Sequence, residues 1–313
     1  MNTQTNAIPE SFDSQRIAPN VSPTRPMYWS IRRELWENRS IYVAPLAAAA
    51  VYLFGYLISL VWVPYSMRAL EAEHSTPQLI VLAMPYSHAA MVLMATGVLV
   101  GIFYSLDALH GERRDRSILF WKSLPVSDLT TVLSKASIPL VVLPLLVFAI
   151  TVPLQIVMRL LSSAAMLLSG SSVAPLWTQL PLFQMQLVLL YSLIVFALWH
   201  SPLYMWFLLV SGWARRATFL WAVLPPLAIA ALEYIAFRTC YFGSLLHDRL
   251  GGFAARAFDL RDKNGVAIDP HFIPLAQLTP GRFLSSPSLW IGLIFAAIFL
   301  FAAVRLRRYQ GPI

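Results

Sequence analysis

The sequence predicts an all-α polytopic membrane protein with six transmembrane helices, and three observations predict it. Hydrophobic residues fill 58% of the 313 positions, charged residues only 12%, and the mean hydropathy is +0.64. A soluble domain carries about 25% charged residues, so most of this chain is composed for lipid. The apolar residues fall in long runs, six of which have the ~17–25 residues that a helix needs to cross hydrocarbon. Lys and Arg collect between alternate runs, as in loops retained on the cytoplasmic side.

Residues 1–24 hold Pro9, Pro19 and Pro23 among small polar residues and no apolar signal core, and they read as a disordered cytoplasmic tail. Residues 25–40 place Tyr28, Ile31 and Leu35 on one helical face and turn Arg32, Arg33 and Glu37 elsewhere. That pattern predicts an amphipathic helix lying in the membrane interface, with Thr24 as its cap and Pro26 in its first turn. Residues 41–313 form the six-span domain, with spans expected over 41–63, 86–106, 136–158, 182–210, 217–237 and 288–304. Between Arg159 and Arg215 there is no Asp, Glu, Lys or Arg, and "SGSSVAP" at 169–175 divides a stretch too long for one helix. Pro139, Pro144, Pro153, Pro225 and Pro226 predict irregular spans.

Arg16, Arg25, Arg32, Arg33 and Arg39 precede the first span. Arg113, Arg114, Arg116, Lys122 and Lys135 lie between spans two and three, Arg215 and Arg216 between four and five, and Arg305, Arg307 and Arg308 after the last. Most of the 23 basic residues thus fall on one side, which puts both termini in the cytoplasm and the chain in a bacterial inner membrane. The net charge of +8 orients the chain and carries no nucleic-acid signature. Arg159 reads as an outer anchor that snorkels. Cys240, the one cysteine, forms no intrachain disulfide and has no metal-site spacing around it.

The connector at 109–135, "LHGERRDRSILFWKSLPVSDLTTVLSK", is far longer than a hairpin requires. "RSILFWKSL" makes two helical turns exposing Ile118, Leu119, Phe120 and Trp121, and Pro125 ends them. Ser127 then caps a second helix with Asp128 in its first turn. A segment this short has no core of its own, so its large apolar residues meet either the membrane surface or another protein; a partner-binding knob is the favoured reading.

These residues carry a resemblance. "ERRDRSILFWKSLPVSDLTTVLSK" resembles the signature of permease subunits in the type-2 family of ATP-binding-cassette (ABC) transporters: an E-R pair, a short apolar helix, a Pro-Ser-type break and a Lys after the second span. The six spans, the amphipathic N-terminal helix and the large insertion before the last span are similar too. The resemblance implies that the short helix is a coupling helix docking into a cytoplasmic ATPase. It implies Glu112, Arg113, Asp115, Arg116, Ser117, Ile118, Leu119, Phe120 and Trp121 at that contact, with Lys122 on its rim. Arg116 departs from the pattern, because a small residue, often Gly, is common there. The resemblance further implies two ATPase copies holding ATP and Mg, a permease homodimer, and export of a hydrophobic or amphipathic compound. The chain has no Gly-Lys pair and so no phosphate loop, which makes it a transport subunit that binds no cofactor itself.

Ionisable groups within spans are candidates for a transport path. Glu233 is one, read alternatively as an outer carboxylate bonded within its own bundle. His200 is the other, placed toward the inner half beside Pro202 and read alternatively as a core histidine bonded to a carbonyl. Asp107 and His110 belong to the connector's hydrogen-bond scaffold. The insertion at 238–287 spaces Leu246, Leu250, Phe253 and Ala257 as one face of an outer amphipathic helix, followed by the turn-rich "RDKNGVAIDP"; the resemblance implies a lid. Two rival classes remain. An intramembrane enzyme needs Glu233 and His200 as acid and base, yet no H-E-x-x-H or G-x-S-x-G element is present. A secondary transporter needs inverted repeats, and none is visible.

Overall fold

The computed structural model describes residues 24–62, 78–123, 126–261, 273–309 and 311. The tail expected over 1–24, Thr24 excepted, the Pro125 stop and all but the first residue of the "RDKNGVAIDP" loop lie outside the described residues. Among the described residues the chain is helical, with an isolated antiparallel bridge between Phe258 and Leu278 and no strand.

Helix α1 (Thr24–Glu37) precedes α2 (Ser40–Ser59), the first span. The second span, α3 (Gln78–Asp107), leads into the short helices α4 (His110–Arg114) and α5 (Ser117–Ser123). Helix α6 (Asp128–Ser137) continues through a π-helical turn (Ile138–Val142) into α7 (Leu143–Leu168) as the third span. A short α8 (Ala174–Thr178) precedes α9 (Leu182–Trp213) and α10 (Thr218–Phe237), spans four and five. The insertion holds α11 (Tyr241–Gly251), α12 (Phe253–Ala257), a 3-10 turn (Leu275–Gln277) and α13 (Pro280–Leu284). The sixth span is α14 (Pro287–Tyr309). Six helices long and apolar enough to cross a membrane define an integral membrane protein.

The boundaries differ from the hydropathy reading where local chemistry sets them. The third span starts at Asp128, eight residues early, because Ser127 takes an extended conformation and its Oγ accepts a hydrogen bond from the Thr130 N–H at 3.1 Å. Pro139 falls in the π-helical turn, the widened ladder expected where a proline interrupts the bonding. The expected division at 169–175 is a complete Schellman ending: Gly170 has φ +71°, Ser171 N–H donates to Met166 O at 2.9 Å and Gly170 N–H to Leu167 O at 3.1 Å. Helix α1 begins at Thr24 itself, so its cap position falls outside the described residues.

Apolar contact with lipid is no worse than apolar contact with protein, so close packing and polar bonds hold the spans together. Gly97 admits α7 against α3; a Cβ there would lie 2.7 Å from the Val147 Cγ2. Tyr86, Leu93, Met158 and Leu193 form one core among α2, α3, α7 and α9, and Tyr104, Leu143, Met205 and Ala303 form a second nearer α1. Inside the first, Gln155 donates to the Tyr86 carbonyl at 2.8 Å. In α9, Pro202 leaves the Leu198 carbonyl without its usual backbone donor, and Ser201 Oγ donates to it at 2.9 Å. Span five packs least, with Ala222 as its buried residue. Helix α1, the connector, the end of α9 and the last turns of α14 meet at one end of the bundle, here the proximal end. The insertion lies at the distal end.

Candidate functional site

The connector folds as two short helices broken at Asp115 and Arg116. Arg116 has φ +57°, a left-handed conformation that a glycine takes freely and another residue takes at a cost of about 1–2 kcal/mol. The one position where the sequence departs from the resembled pattern is therefore the position whose backbone suits glycine. Beyond the break, Leu119 is 59% exposed and Phe120 60%. Ile118 is 2% exposed and Trp121 half-buried, its ring 3.9 Å from the Arg33 guanidinium carbon. The expectation that all four stand free is thus corrected for two of them: a two-turn helix lying on a bundle turns residues three apart inward. The apolar tip is Leu119 and Phe120. Asp115 and Arg116 are exposed, Ser117 Oγ donates to the Glu112 carbonyl at 3.4 Å, and Lys122 reaches the Arg308 carbonyl at 3.4 Å.

Glu112 and Arg113 point inward. Arg113 donates to the Gly212 carbonyl at 2.6 Å and to Gly311 O at 3.3 Å, and His110 Nδ1 lies 3.2 Å from Ala214 O. Both side chains so serve the last carbonyls of α9, which lack intrahelical donors and carry the negative end of its dipole. Asp107 pairs with Arg114 at 3.8 Å on the surface. Glu112 pairs with Lys135 at 3.1 Å, with Arg33 at 3.3 Å and with Arg307. The glutamate and the lysine that open and close the quoted signature are therefore in contact. Lys135 also reaches Glu34 at 2.9 Å; Glu34 is fully buried, pairs with Arg33 at 2.7 Å and accepts from the Tyr104 hydroxyl at 2.7 Å. Arg307 bonds Asp128 at 3.2 Å. Three buried or half-buried carboxylates and three cations from α1, α4, α6 and α14 thus form one network under the connector, with Glu37 on its edge 3.7 Å from Arg33. Burial works to raise the Glu34 carboxyl, but Lys135 and Arg33 outweigh it and hold it below its ordinary range.

Sequence reasoning missed Glu34, Arg307 and Tyr104 as members of this site. The only local signal was Ser30 and Glu34 at helical spacing, and both are buried where α1 packs on α6. Ile31 and Leu35 pack against the protein core, whereas Tyr28 is exposed with Trp29 and Trp36. Arg32 lies over the Trp29 and Trp36 rings, its guanidinium carbon 5.2 and 4.6 Å from their centres, which gives this outer face the composition of an interfacial belt.

At the distal end the transport-path candidates part company. Glu233 accepts hydrogen bonds from Thr239 Oγ1 at 2.9 Å, Tyr241 N–H at 2.7 Å and Phe242 N–H at 2.8 Å. It is an N-terminal cap for α11, a carboxylate on the positive end of a helix. His200 is buried, stacked on Phe196 at 3.8 Å, with Nδ1 3.0 Å from Phe196 O and Nε2 3.3 Å from Leu250 O. Leu250 belongs to the insertion, so the insertion reaches His200 inside the fourth span. No hydrogen bond joins Glu233 to His200. Arg159 lies over the Trp177 ring, its guanidinium carbon 4.0 Å from the centre, an anchoring contact.

A cavity of about 860 Å³ lies among α3, α9 and α10, lined by residues such as Met94, Phe196, His200, Phe207 and Leu227. Leu246, Leu250 and Phe253 of the insertion close its distal end. The insertion is pinned there by Arg249, whose guanidinium donates to Ser288 O at 2.7 Å and Trp199 O at 3.3 Å and whose central carbon lies 4.4 Å from the Trp199 ring centre. Gly292 makes room for it. Among the described residues no group of His, Cys, Asp and Glu is placed to hold a metal ion. The fold and this site define a six-span integral membrane protein with a braced connector at one end and a capped apolar cavity toward the other. No family model, no curated protein and no solved structure matches the chain.

Proposed function

We propose that the chain is the permease subunit of an ABC transporter, with the proximal end in the cytoplasm of a bacterial cell and ATP hydrolysed with Mg by two copies of a separate ATPase. Two permease copies make the membrane unit. Helix α1 lies in the interface, α5 is the coupling helix and the insertion is an outer lid. The observation that carries this reading is the exposed Leu119–Phe120 pair on α5, which follows directly on α4, whose Glu112 is held in buried ion pairs. A solvated connector has no reason to hold two large apolar side chains in water, nor to be fixed so firmly, unless something grips it. Force on α5 would pass through Glu112 to α1, α6 and α14 together and tilt them about the cavity. The cargo is a hydrophobic or amphipathic compound.

The test is recovery of an ATPase from native membranes on the affinity-tagged chain. Phe120→Asp should lower recovery of a phosphate-loop ATPase at least about tenfold, since a charge buried in an apolar contact is strongly unfavourable. Undiminished recovery, or wild-type recovery of no such ATPase, would overturn the assignment.

A further inference from the structure

Resting on that transport reading for its role in the cell, we infer that the cavity is a binding site for a neutral, lipophilic molecule carrying a hydroxyl or N–H group, which donates to His200 Nε2 and the Leu250 carbonyl. Size alone admits such a ligand, because 860 Å³ lies within the roughly 300–1,000 Å³ of small-molecule sites. The lining includes no Asp, Glu, Lys or Arg. A charged ligand would have to leave water for a wall that offers it no counter-charge, which is strongly unfavourable.

The selectivity for a donor follows from counting protons at His200. A neutral imidazole has one N–H and one lone pair. Both ring nitrogens face carbonyl oxygens, Phe196 O at 3.0 Å and Leu250 O at 3.3 Å, and both carbonyls only accept. One N–H cannot serve two acceptors on opposite sides of the ring. We assign the proton to Nδ1, at the shorter contact, an assignment that leaves the Nε2 lone pair facing the Leu250 oxygen with no hydrogen between them. Leu250 lies in the last turn of α11, where carbonyls lack intrahelical donors. Both residues line the cavity. The pair is an acceptor site that a ligand hydroxyl or N–H completes.

The experiment uses the full chain in lipid nanodiscs, with neither ATP nor ATPase, and reads tryptophan-to-pyrene energy transfer against empty nanodiscs. The probes are 1-pyrenemethanol, its isostere 1-methylpyrene, and 1-pyrenecarboxylate. The alcohol should bind saturably and about tenfold more tightly than methylpyrene, and the carboxylate should show no saturable binding. His200→Phe keeps the stack on Phe196 and should bring the alcohol-to-methyl ratio to about one while methylpyrene affinity stays unchanged. Ala95→Trp, which fills the cavity from an exposed position, should remove saturable binding of both. Should His200→Phe not fold, the wild-type ratio and Ala95→Trp decide. Equal affinity for alcohol and methylpyrene in the wild type marks a slot for lipid tails and overturns the donor site. So does a preference unchanged in His200→Phe, equal binding of the carboxylate, or saturable binding that survives Ala95→Trp. Because no ATPase takes part, this result stands apart from the recovery test of the pump.

Discussion

Lys135→Met is expected to lower the unfolding free energy by about 3–5 kcal/mol, the range for removing one partner from a buried ion pair. Among the described residues Lys135 and Arg33 are the cations within 4 Å of both Glu34 and Glu112, and the Lys135 side chain is buried. Without it two buried carboxylates share Arg33 and Arg307. Adding Glu34→Gln to Lys135→Met should recover a large part of the loss, since the stranded charge is then gone. Equilibrium unfolding in mixed micelles of dodecyl maltoside and dodecyl sulfate measures both. A single-variant loss under about 1 kcal/mol would mean that the network is a surface-like set of contacts and not a brace. The same network sets an acid limit. Glu34 has a folded-state value below its ordinary 4.5, so the unfolded chain takes up the proton first as pH falls. Its stabilisation is complete above about pH 4.5 and is lost as pH drops through the lower folded value. Stability that is flat from pH 7 to 3 would remove Glu34 from the brace.

Gly292→Val is expected to release the insertion. A Cβ at this position meets the Arg249 Nη1 and Nη2 at 2.6 Å, inside any tolerated contact. The guanidinium cannot yield in place, because Ser288 O, Trp199 O and the Trp199 ring fix it on three sides. Forcing it out forfeits those bonds and overpacks the α9–α14 seam, together about 2–4 kcal/mol of local opening energy. Trypsin reports this directly: cleavage after Arg249 and Arg256 should speed up by roughly 30-fold or more. Arg249→Met in the same background should relieve the clash and restore the seam. Unchanged cleavage in Gly292→Val would show that the insertion is held by its apolar contacts alone.

Much of the architecture is written in hydropathy, a one-dimensional property. Six apolar runs give six spans, and "SGSSVAP" marks the Schellman ending because Gly and Ser act within a single turn. Where helices begin is equally local but subtler: Ser127 starts the third span ahead of its apolar stretch through one side-chain bond. The proximal site was legible only in half. The connector's pattern identified its apolar tip, but nothing in "RSILFWKSL" says which side faces the bundle, and Ile118 went inward. The brace includes pairs as distant as Arg33 with Glu112, 79 positions apart, and Glu112 with Arg307, 195 apart. No periodicity encodes such a pairing. Glu233 was legible as an outer carboxylate bonded within its own bundle, but not its partners, because the first N–H groups of α11 come to it only once the chain turns at Arg238, whose φ is +55°.

The third span has a mechanical consequence. Its π-helical turn follows Lys135 by a few residues, so yielding there sits next to the clamped end and leaves Leu143–Leu168, with Pro153 inside it, as an arm of 26 residues beyond the turn. At 1.5 Å per residue that arm is about 39 Å long, and pivoting it by about 5° sweeps its free tip through about 3 Å. A small displacement at the proximal end would thereby be enlarged toward the distal end of the bundle.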